Sequence, residues 1–435
     1  MTTVGPPRSA MRFSCFINES AHPVQGSSRE IFLARQPIFD RSLRVSGYEL
    51  LYRSSCSNEF DNADAEAATL QLLQVVYCVG EQQLLGGRDA YLNFPHDLLV
   101  SLCPSVISPQ RFVVEILETV YPDEKLKAAC RELKRRGYRL ALDDFTGGGR
   151  TAELLPLVDI VKVDILATTA RQQLRLIQRH RRPDLKFLAE KVESQEQFAH
   201  LRQSGYELFQ GFFFARPTML ASRQPADSKQ ACLELLRLGV SGEFDFQRVE
   251  ATLRRDASLS YKLLRYVNSW CYGLPKHVES MRQAIALLGE AGLRRWLTVT
   301  ALAELAVDKP TELMVLAVSR GLFCEAVAGE LAWPGPKEEL FLLGLFSLLD
   351  AMTGRPMAEM IAELGLNGEV RGALLDAGNH PGVTSALLRL LTAYERGMWD
   401  DALREALRLS MDPARLASVH IDCSRQGHQM LANSI

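Results

Sequence analysis

The sequence predicts an α/β barrel of parallel strands followed by an all-helical domain. In the first half of the chain, short apolar runs that end in a polar residue alternate with segments of helical length, which is typical of parallel βα units. In the second half, almost every segment repeats its apolar residues at helical spacing. The length of 435 residues exceeds one ordinary core, so two domains are expected.

Eight apolar runs predict the strands of the barrel. They span residues 31–34, 45–52, 90–94, 111–117, 140–145, 159–164, 186–190 and 208–212. A turn at residues 40–42 joins the first two runs into a hairpin, and helices are predicted at residues 65–85, 166–180 and 195–204. About eight such units favour a (β/α)8 barrel, and an open doubly wound sheet is the alternative.

The run at residues 140–145 ends in two adjacent carboxylates, Asp143 and Asp144. Adjacent carboxylates repel each other unless a cation lies between them, so two divalent metal ions are their natural partner. Other runs carry a polar residue at or near their end in the same way: Glu49, Asn93, Glu115, Lys162, Glu190 and Gln210. Because strand ends gather at one rim of a parallel barrel, an oxygen-rich cluster suited to magnesium, manganese or calcium is expected there. The alternative is that each residue is a solvated strand end or forms an ordinary ion pair, such as Lys162 with a neighbouring acid.

Composition excludes several classes of protein. The formal net charge of −2 gives no reason to expect nucleic acid or an anionic membrane as the main partner. The nine cysteines are scattered without a C-x-x-C pair, which indicates thiols in a reducing compartment. No apolar run is long enough to span a membrane, and the segment through Ser28 lacks the apolar core of a signal peptide. A cytoplasmic protein is therefore expected.

Four segments follow from these patterns. They are a disordered tail at residues 1–29, the barrel at residues 30–218, a polar linker at residues 219–230 and the helical domain at residues 231–435.

The polar strand ends lie in motifs that resemble those of EAL domains. Residues 47–53 resemble the signature segment of that family, with Leu50 where the name-giving alanine stands. The other motifs follow in the family's order: the strand-end Asn93, Glu115-x-x-Glu118, Asp143-Asp144-Phe145, Lys162-x-Asp164, Glu190 in Ala-Glu-Lys-Val-Glu, and Gln210-Gly211. EAL domains are modified TIM barrels that hydrolyse cyclic di-GMP to the linear dinucleotide with Mg²⁺ or Mn²⁺. Calcium is expected to be inhibitory, because it usually supports binding without efficient hydrolysis.

The resemblance implies a role for each matching residue. The metal ligands would be Glu49, Asn93, Glu115 and Asp143, with Asp144 at or beside a second metal. Lys162 would hold the attacking water or a metal-bound oxygen, Glu190 would be the general base or a water-mediated ligand, and Gln210 would support that water. Arg53 would contact a substrate phosphate, and Glu118 would anchor the loop after Asp144.

Two departures from the family's pattern leave two functions open. The loop at residues 146–150, which in the family helps to order the second metal and a homodimer through the barrel, has an altered sequence, and Lys191 replaces a glycine close to the site. A lysine there could crowd the metals or compete with them. One function is a phosphodiesterase, and the alternative is an inactive receptor or scaffold that signals by binding nucleotide or protein. A different phosphodiester substrate also stays open.

The second half resembles HDOD domains, which are relatives of HD phosphohydrolases. The resemblance lies at residues 256–260, 268–269 and 284–289. HD enzymes need a His-Asp pair to bind metal, but Ser347 and Leu348 occupy the matching positions here. A helical domain without these ligands implies a non-catalytic module that binds an unidentified protein partner.

Overall fold

The structure, a computed structural model, describes most of the chain. The described residues are 32–53, 66, 68–73, 76, 85, 87–215, 226–240, 244–270, 278–331, 333–366, 368–376 and 378–434. The predicted tail at residues 1–29 and residues 219–225 of the predicted linker lie outside this part. Of the helix predicted at residues 65–85, residues 68–73 are described as helical.

Eight strands close into a barrel in sequence order. They are β1 Phe32–Asp40, β2 Val45–Arg53, β3 Asp89–Phe94, β4 Phe112–Ile116, β5 Arg139–Leu142, β6 Ile160–Asp164, β7 Lys186–Glu190 and β8 Leu208–Gln210. The closed sheet confirms the predicted barrel, and the alternative of an open doubly wound sheet is wrong.

The first strand departs from the simple parallel pattern. β1 runs antiparallel to both of its neighbours, β2 and β8, whereas all other pairs are parallel. The cause is the short connection at residues 41–44, because parallel strands need a crossover of a dozen or more residues. This pairing sets Gln36 opposite Glu49 and Ile38 opposite Gln210.

The interior of the barrel is a packed apolar core below the polar strand ends. Seven buried side chains form this separate cluster: Ile38, Tyr91, Val113, Ala141, Ile160, Leu188 and Leu208. Since a filled barrel is not a pore, the polar cluster is accessible from one end only.

Besides the helical residues 68–73 between β2 and β3, four helices with described bounds lie between the strands: α1 His96–Val100, α2 Glu124–Arg135, α3 Ala170–His180 and α4 Gln195–Ser204. The bounds of α4 match the prediction, and Ser194 with Gln197 forms a capping box at its start. Helix α3 begins four residues later than predicted, because the Asp164 carboxylate accepts the backbone N–H groups of Leu166 and Ala167 and holds that segment in a turn.

The second half is all-helical, as predicted. Its helices are α5 Ala226–Val240, α6 Phe246–Arg255, α7 Ala257–Trp270, α8 Met281–Leu305, α9 Thr311–Ala326, α10 Lys337–Phe346, α11 Leu349–Thr353, α12 Met357–Leu364, α13 Gly368–Leu375, α14 Val383–Glu395, α15 Trp399–Arg408 and α16 Pro413–Ser434. Gly289 interrupts α8 with a left-handed φ of +63°.

The barrel and the helical domain are packed together. The outward side chains of β1 and β2 face the helices, where Arg35 Nη2 lies 3.0 Å from His428 Nδ1 of α16. The Tyr48 hydroxyl donates a hydrogen bond of 3.1 Å to the Glu312 carboxylate of α9. The Arg35 guanidinium also lies 4.6 Å from the centre of the Tyr48 ring, a cation–π distance. Buried apolar residues of both halves form one continuous cluster.

Four cysteines in the described part of the chain are free and buried, as expected of small buried thiols: Cys130, Cys232, Cys324 and Cys423. Among the described helices, none has the length and apolar character needed to cross a bilayer.

Candidate metal centre

A single lysine lies at the centre of the polar cluster at the rim. Lys162 Nζ is 2.9 Å from Asp143 Oδ1, 3.0 Å from Glu115 Oε1, 3.1 Å from Glu190 Oε1 and 3.3 Å from Glu49 Oε2. These four acids come from or directly follow β2, β4, β5 and β7, and the lysine comes from β6. One cation thus faces four carboxylates, so the cluster has an excess of negative charge.

Burial makes this excess costly. The Lys162 side chain is 1% exposed and that of Glu115 is fully buried. Burial by itself would lower the pKa of Lys162, but the surrounding carboxylates outweigh it and hold that pKa well above its usual range. Burial raises the pKa of Glu115 well above normal, although the Lys162 charge opposes the shift. It also raises the pKa of Glu190 to about 8, and the charge of Asp143 adds to this.

Two amide side chains orient Glu49. Gln210 Nε2 donates to Glu49 Oε2 at 2.7 Å, and Asn93 Nδ2 donates to Glu49 Oε1 at 3.3 Å. Because each amide nitrogen is engaged in this way, the oxygen of each amide is left for another partner.

The remaining oxygens fit a hard metal ion. Four of them are buried and accept no hydrogen bond from the described residues: Asn93 Oδ1, Glu115 Oε2, Glu190 Oε2 and Gln210 Oε1. A buried acceptor without a partner costs about 1–3 kcal/mol, so a group that supplies positive charge is expected there. Carboxylate and amide oxygens are the ligands that Mg²⁺ and Mn²⁺ prefer.

Asp144 extends the cluster beyond Lys162. One oxygen each from Asp143, Asp144 and Glu190 lies within 4.8 Å of the other two, which is close enough for one ion to contact all three. Asp144 has a left-handed φ of +41°, which is strained for a residue other than glycine. Partial burial raises the pKa of Asp144, and the Asp143 charge raises it further, as expected for adjacent acids without a cation between them.

Lys191 does not enter the carboxylate cluster. Its ammonium is paired with Asp164, and its side chain is 55% exposed. The backbone at Lys191 has a φ of +57°, a conformation that glycine adopts without strain. The glycine of the family pattern therefore suits the left-handed backbone at this position, whereas Lys191 adopts the same backbone at a cost in conformational energy.

We expect Lys191→Gly to leave the affinity for Mn²⁺ within about threefold of the wild-type value, because the half-exposed ammonium pairs with Asp164 and lies outside the carboxylate cluster. The midpoint of thermal unfolding should not fall, since the glycine relieves about 1 kcal/mol of left-handed strain. Isothermal titration calorimetry and a thermal melt would measure both quantities. An affinity that rises tenfold or more would instead show that the ammonium repels the metal.

Two further residues of the predicted site lie at the end of β2 and after β4. Glu118 follows β4, and desolvation of its carboxyl, together with the charges of Asp143 and Asp144, raises its pKa. Its role as an anchor of the loop stays a prediction. Arg53 is the last residue of β2, and its side chain lies outside the described part of the structure.

Sequence reasoning missed Gln36. Its Oε1 accepts a hydrogen bond of 3.0 Å from Gln210 Nε2, so Gln36 belongs to the same amide network as Glu49. Gln36 lies in the middle of β1, away from any strand end. The antiparallel pairing of β1 would have been the signal, because it sets Gln36 opposite Glu49.

The fold and the site together define a class: an eight-stranded α/β barrel with a lysine-centred carboxylate cluster at its rim, joined to an all-helical domain. A family model for the EAL domain matches residues 84–217, and a model for the HDOD domain matches residues 228–361. The chain belongs to the family of proteins that join an EAL domain to an HDOD domain.

Similar proteins cover nearly the whole chain. The cyclic di-GMP phosphodiesterase CdgJ of Vibrio cholerae is 34% identical over 90% of this chain and 90% of its own length. The protein YuxH of Bacillus subtilis is 34% identical over 85% of this chain and 92% of its own length. Among solved structures, BlrP1 of Klebsiella pneumoniae in a manganese and cyclic di-GMP complex is 24% identical, with a TM-score of 0.36, over 44% of this chain and 57% of that one.

Proposed function

We propose that this protein is a cytoplasmic phosphodiesterase that hydrolyses cyclic di-GMP to linear pGpG with divalent metal ions. The observation that carries the proposal is the carboxylate cluster around Lys162, with its buried oxygens that lack a partner among the described residues. The similarity to CdgJ along nearly the full length supports the same substrate. The free buried cysteines fit a reducing compartment.

Seven side chains would hold or complete two metal ions, which we propose to be Mg²⁺ or Mn²⁺. The direct ligands would be Glu49, Asn93, Glu115, Asp143 and Asp144, with Glu190 and Gln210 supporting them. When bound, the two ions would activate a water and offset the charge of the phosphodiester. Calcium would occupy the same oxygens with longer and more variable geometry, which is consistent with inhibition.

The other groups would position protons and charge. Lys162 is held at the centre of the cluster by four acids. A carboxylate drawn onto a metal ion would free one of the three N–H groups of Lys162 to donate a hydrogen bond to the attacking water. Glu190 can accept the proton from that water, since its burial gives it a raised affinity for protons. Gln210 Oε1, which accepts no hydrogen bond within the described part of the chain, can accept one from the same water. Arg53 would bind a substrate phosphate.

We propose that the HDOD domain is a non-catalytic module that binds a protein partner. In support, Ser347 stands where an HD enzyme needs histidine, and its hydroxyl accepts a hydrogen bond of 2.8 Å from Arg320. The Ser347 hydroxyl is therefore bound to the guanidinium of Arg320. The EAL match ends at residue 217, α5 begins at Ala226 and the HDOD match begins at residue 228, which supports the first part of the predicted linker, residues 219–225, whereas residues 226–230 belong to α5. A homodimer through the barrel remains part of the proposal.

Purified protein should hydrolyse cyclic di-GMP with Mg²⁺ or Mn²⁺, and EDTA should abolish the turnover because the ligands need a metal to act. Asp143→Asn removes one charge from the centre of the cluster and should lower kcat about 100-fold or more. Chromatographic detection of pGpG would measure the rate, with nucleotide binding in Ca²⁺ measured in parallel. Binding without turnover by the wild type would make the protein a receptor, and absence of both would leave a protein-binding scaffold.

A further inference from the structure

A chain of hydrogen bonds connects the candidate metal centre to the helical domain. It starts at Glu49 Oε2, which accepts from Gln210 Nε2 at 2.7 Å, and Gln210 Nε2 also lies 3.0 Å from Gln36 Oε1. Gln36 Nε2 then donates to the backbone carbonyl of Glu395 at 3.3 Å. Glu395 is the last residue of α14, so a helix end of the second domain contacts the amide network of the first.

The carbonyl of Glu395 belongs to a rigid part of the helical domain. The carboxylate of Glu395 is buried and accepts hydrogen bonds from Arg320 Nε at 2.9 Å and from Arg320 Nη2 at 2.6 Å. Arg320 is itself buried and donates to Ser347. A bidentate, buried arginine pair fixes both of its partners, so the Glu395 carbonyl has a defined position.

The segment at residues 395–397 fits closely against the rim of the barrel. The Arg396 guanidinium lies 5.2 Å from the centre of the Phe212 ring, just after β8. Gly397 has a φ of +71°, and a Cβ atom at this position would lie 3.2 Å from Leu51 Cδ1 of β2. A methyl group there would therefore force the Leu51 side chain or the segment itself to shift by a few tenths of an ångström.

The amide of Gln36 fixes the orientation of the Gln210 amide as well as its position. Because its nitrogen donates to Glu395, its oxygen must face Gln210. This oxygen in turn holds the Gln210 nitrogen toward Glu49 and leaves Gln210 Oε1 free. If Gln36 rotated its amide by half a turn, it would lose the contacts on both sides.

We propose that the helical domain positions the Gln210–Glu49 pair of the barrel through Gln36, which makes Gln36 a positioning residue and the docked helical domain a condition for full activity. The inference rests on the proposed function, since it assigns a regulatory contact to the same site. The contact of 3.3 Å between Gln36 and Glu395 is near the limit of a hydrogen bond, so a small displacement of residues 395–397 is enough to break it.

The test uses the full chain and a pair of matched glycine variants. Gly397→Ala and Gly365→Ala both place alanine at a left-handed φ, +71° and +66°, and so impose the same backbone strain. Only the methyl group at position 397 meets the barrel, since nothing lies within 4 Å of a Cβ at position 365. We expect Gly397→Ala to lower kcat and the affinity for Mn²⁺ about tenfold, with KM unchanged within about twofold, and Gly365→Ala to change neither.

A double variant tests whether the effect passes through Gln36. In the Gln36→Met background, Gly397→Ala should have no further effect on kcat or on the affinity for Mn²⁺, because the link is already broken. Additive losses, or equal losses in both glycine variants, would overturn the inference. Calorimetric titration of Mn²⁺ detects the link without turnover. A wild type that binds metal but hydrolyses nothing would therefore count against the proposed function, and the titrations would still decide on the link.

Discussion

Lys162→Met should lower the free energy of unfolding of the metal-free protein by about 3–5 kcal/mol, because it leaves four carboxylates, three of them buried, without their shared cation. Adding Mn²⁺ should recover most of this loss, since the metal replaces the missing positive charge. Unfolding in urea, with and without Mn²⁺, would measure both effects. Turnover by the variant should be lost in either case.

The matched control for this change is Lys134→Met. Lys134 on α2 also pairs with an acid, Asp159, but its side chain is 36% exposed and Asp159 is its one ion-pair partner among the described residues. We expect this variant to lose less than about 1 kcal/mol and to gain nothing from Mn²⁺. Equal losses of unfolding free energy in the two variants would mean that the burial of Lys162 and the number of carboxylates around it do not matter to stability.

Glu49→Ala should have the largest effect on activity. Glu49 is the carboxylate to which Gln210, Asn93 and Lys162 all point, so its removal takes away a proposed metal ligand and the acceptor of the amide network. Losing several kcal/mol of transition-state stabilisation corresponds to a decrease in kcat of about 1,000-fold. Steady-state turnover of cyclic di-GMP would measure it.

The same substitution should not destabilise the metal-free protein. Removing one acid from a cluster with excess negative charge reduces repulsion, which offsets the hydrogen bonds lost from Gln210 and Asn93, so the free energy of unfolding should stay nearly constant. The surface variant Glu153→Ala, whose partner Lys127 lies on the outside of the barrel, serves as the control and should keep full activity. Undiminished turnover in Glu49→Ala would refute the assignment of the site.

The sequence predicts the barrel and its polar rim because both depend on local patterns. An apolar run followed by an acid or amide specifies a strand and the chemistry at its end. Parallel pairing then brings Glu115, Asp143 and Glu190 together without any further information. The place of Lys162 among these acids follows in the same way. The simultaneous pairing of Lys162 with these three acids and with Glu49 depends on distances that no pattern contains.

What the sequence does not reveal depends on register and on contacts between distant segments. Gln36 carries no signal of its own in the sequence. Its role arises from the antiparallel register of β1 and from the end of a helix at Glu395, which lies 359 residues further along the chain. The buried pair of Arg320 and Glu395 is equally hidden, since 75 residues separate the two side chains. The replacement of glycine by Lys191 looks damaging when only the letters are compared, and it is the pairing of the ammonium with Asp164, outside the carboxylate cluster, that the letters do not show.

The first strand of the barrel is made long before the partners that cover it. β1 meets β8 through three residue pairs, and its outer side chain Arg35 meets His428, which lies 393 residues further along the chain. At translation rates of about 5–20 residues per second, that interval lasts about 20–80 s. The nascent hairpin therefore leaves the ribosome with an open edge and an uncovered apolar face. Chaperones that shield strand edges should associate with the hairpin during this time. A chain whose synthesis stops before α14 would form a barrel in which the Gln36 amide lacks the Glu395 carbonyl as its hydrogen-bond acceptor.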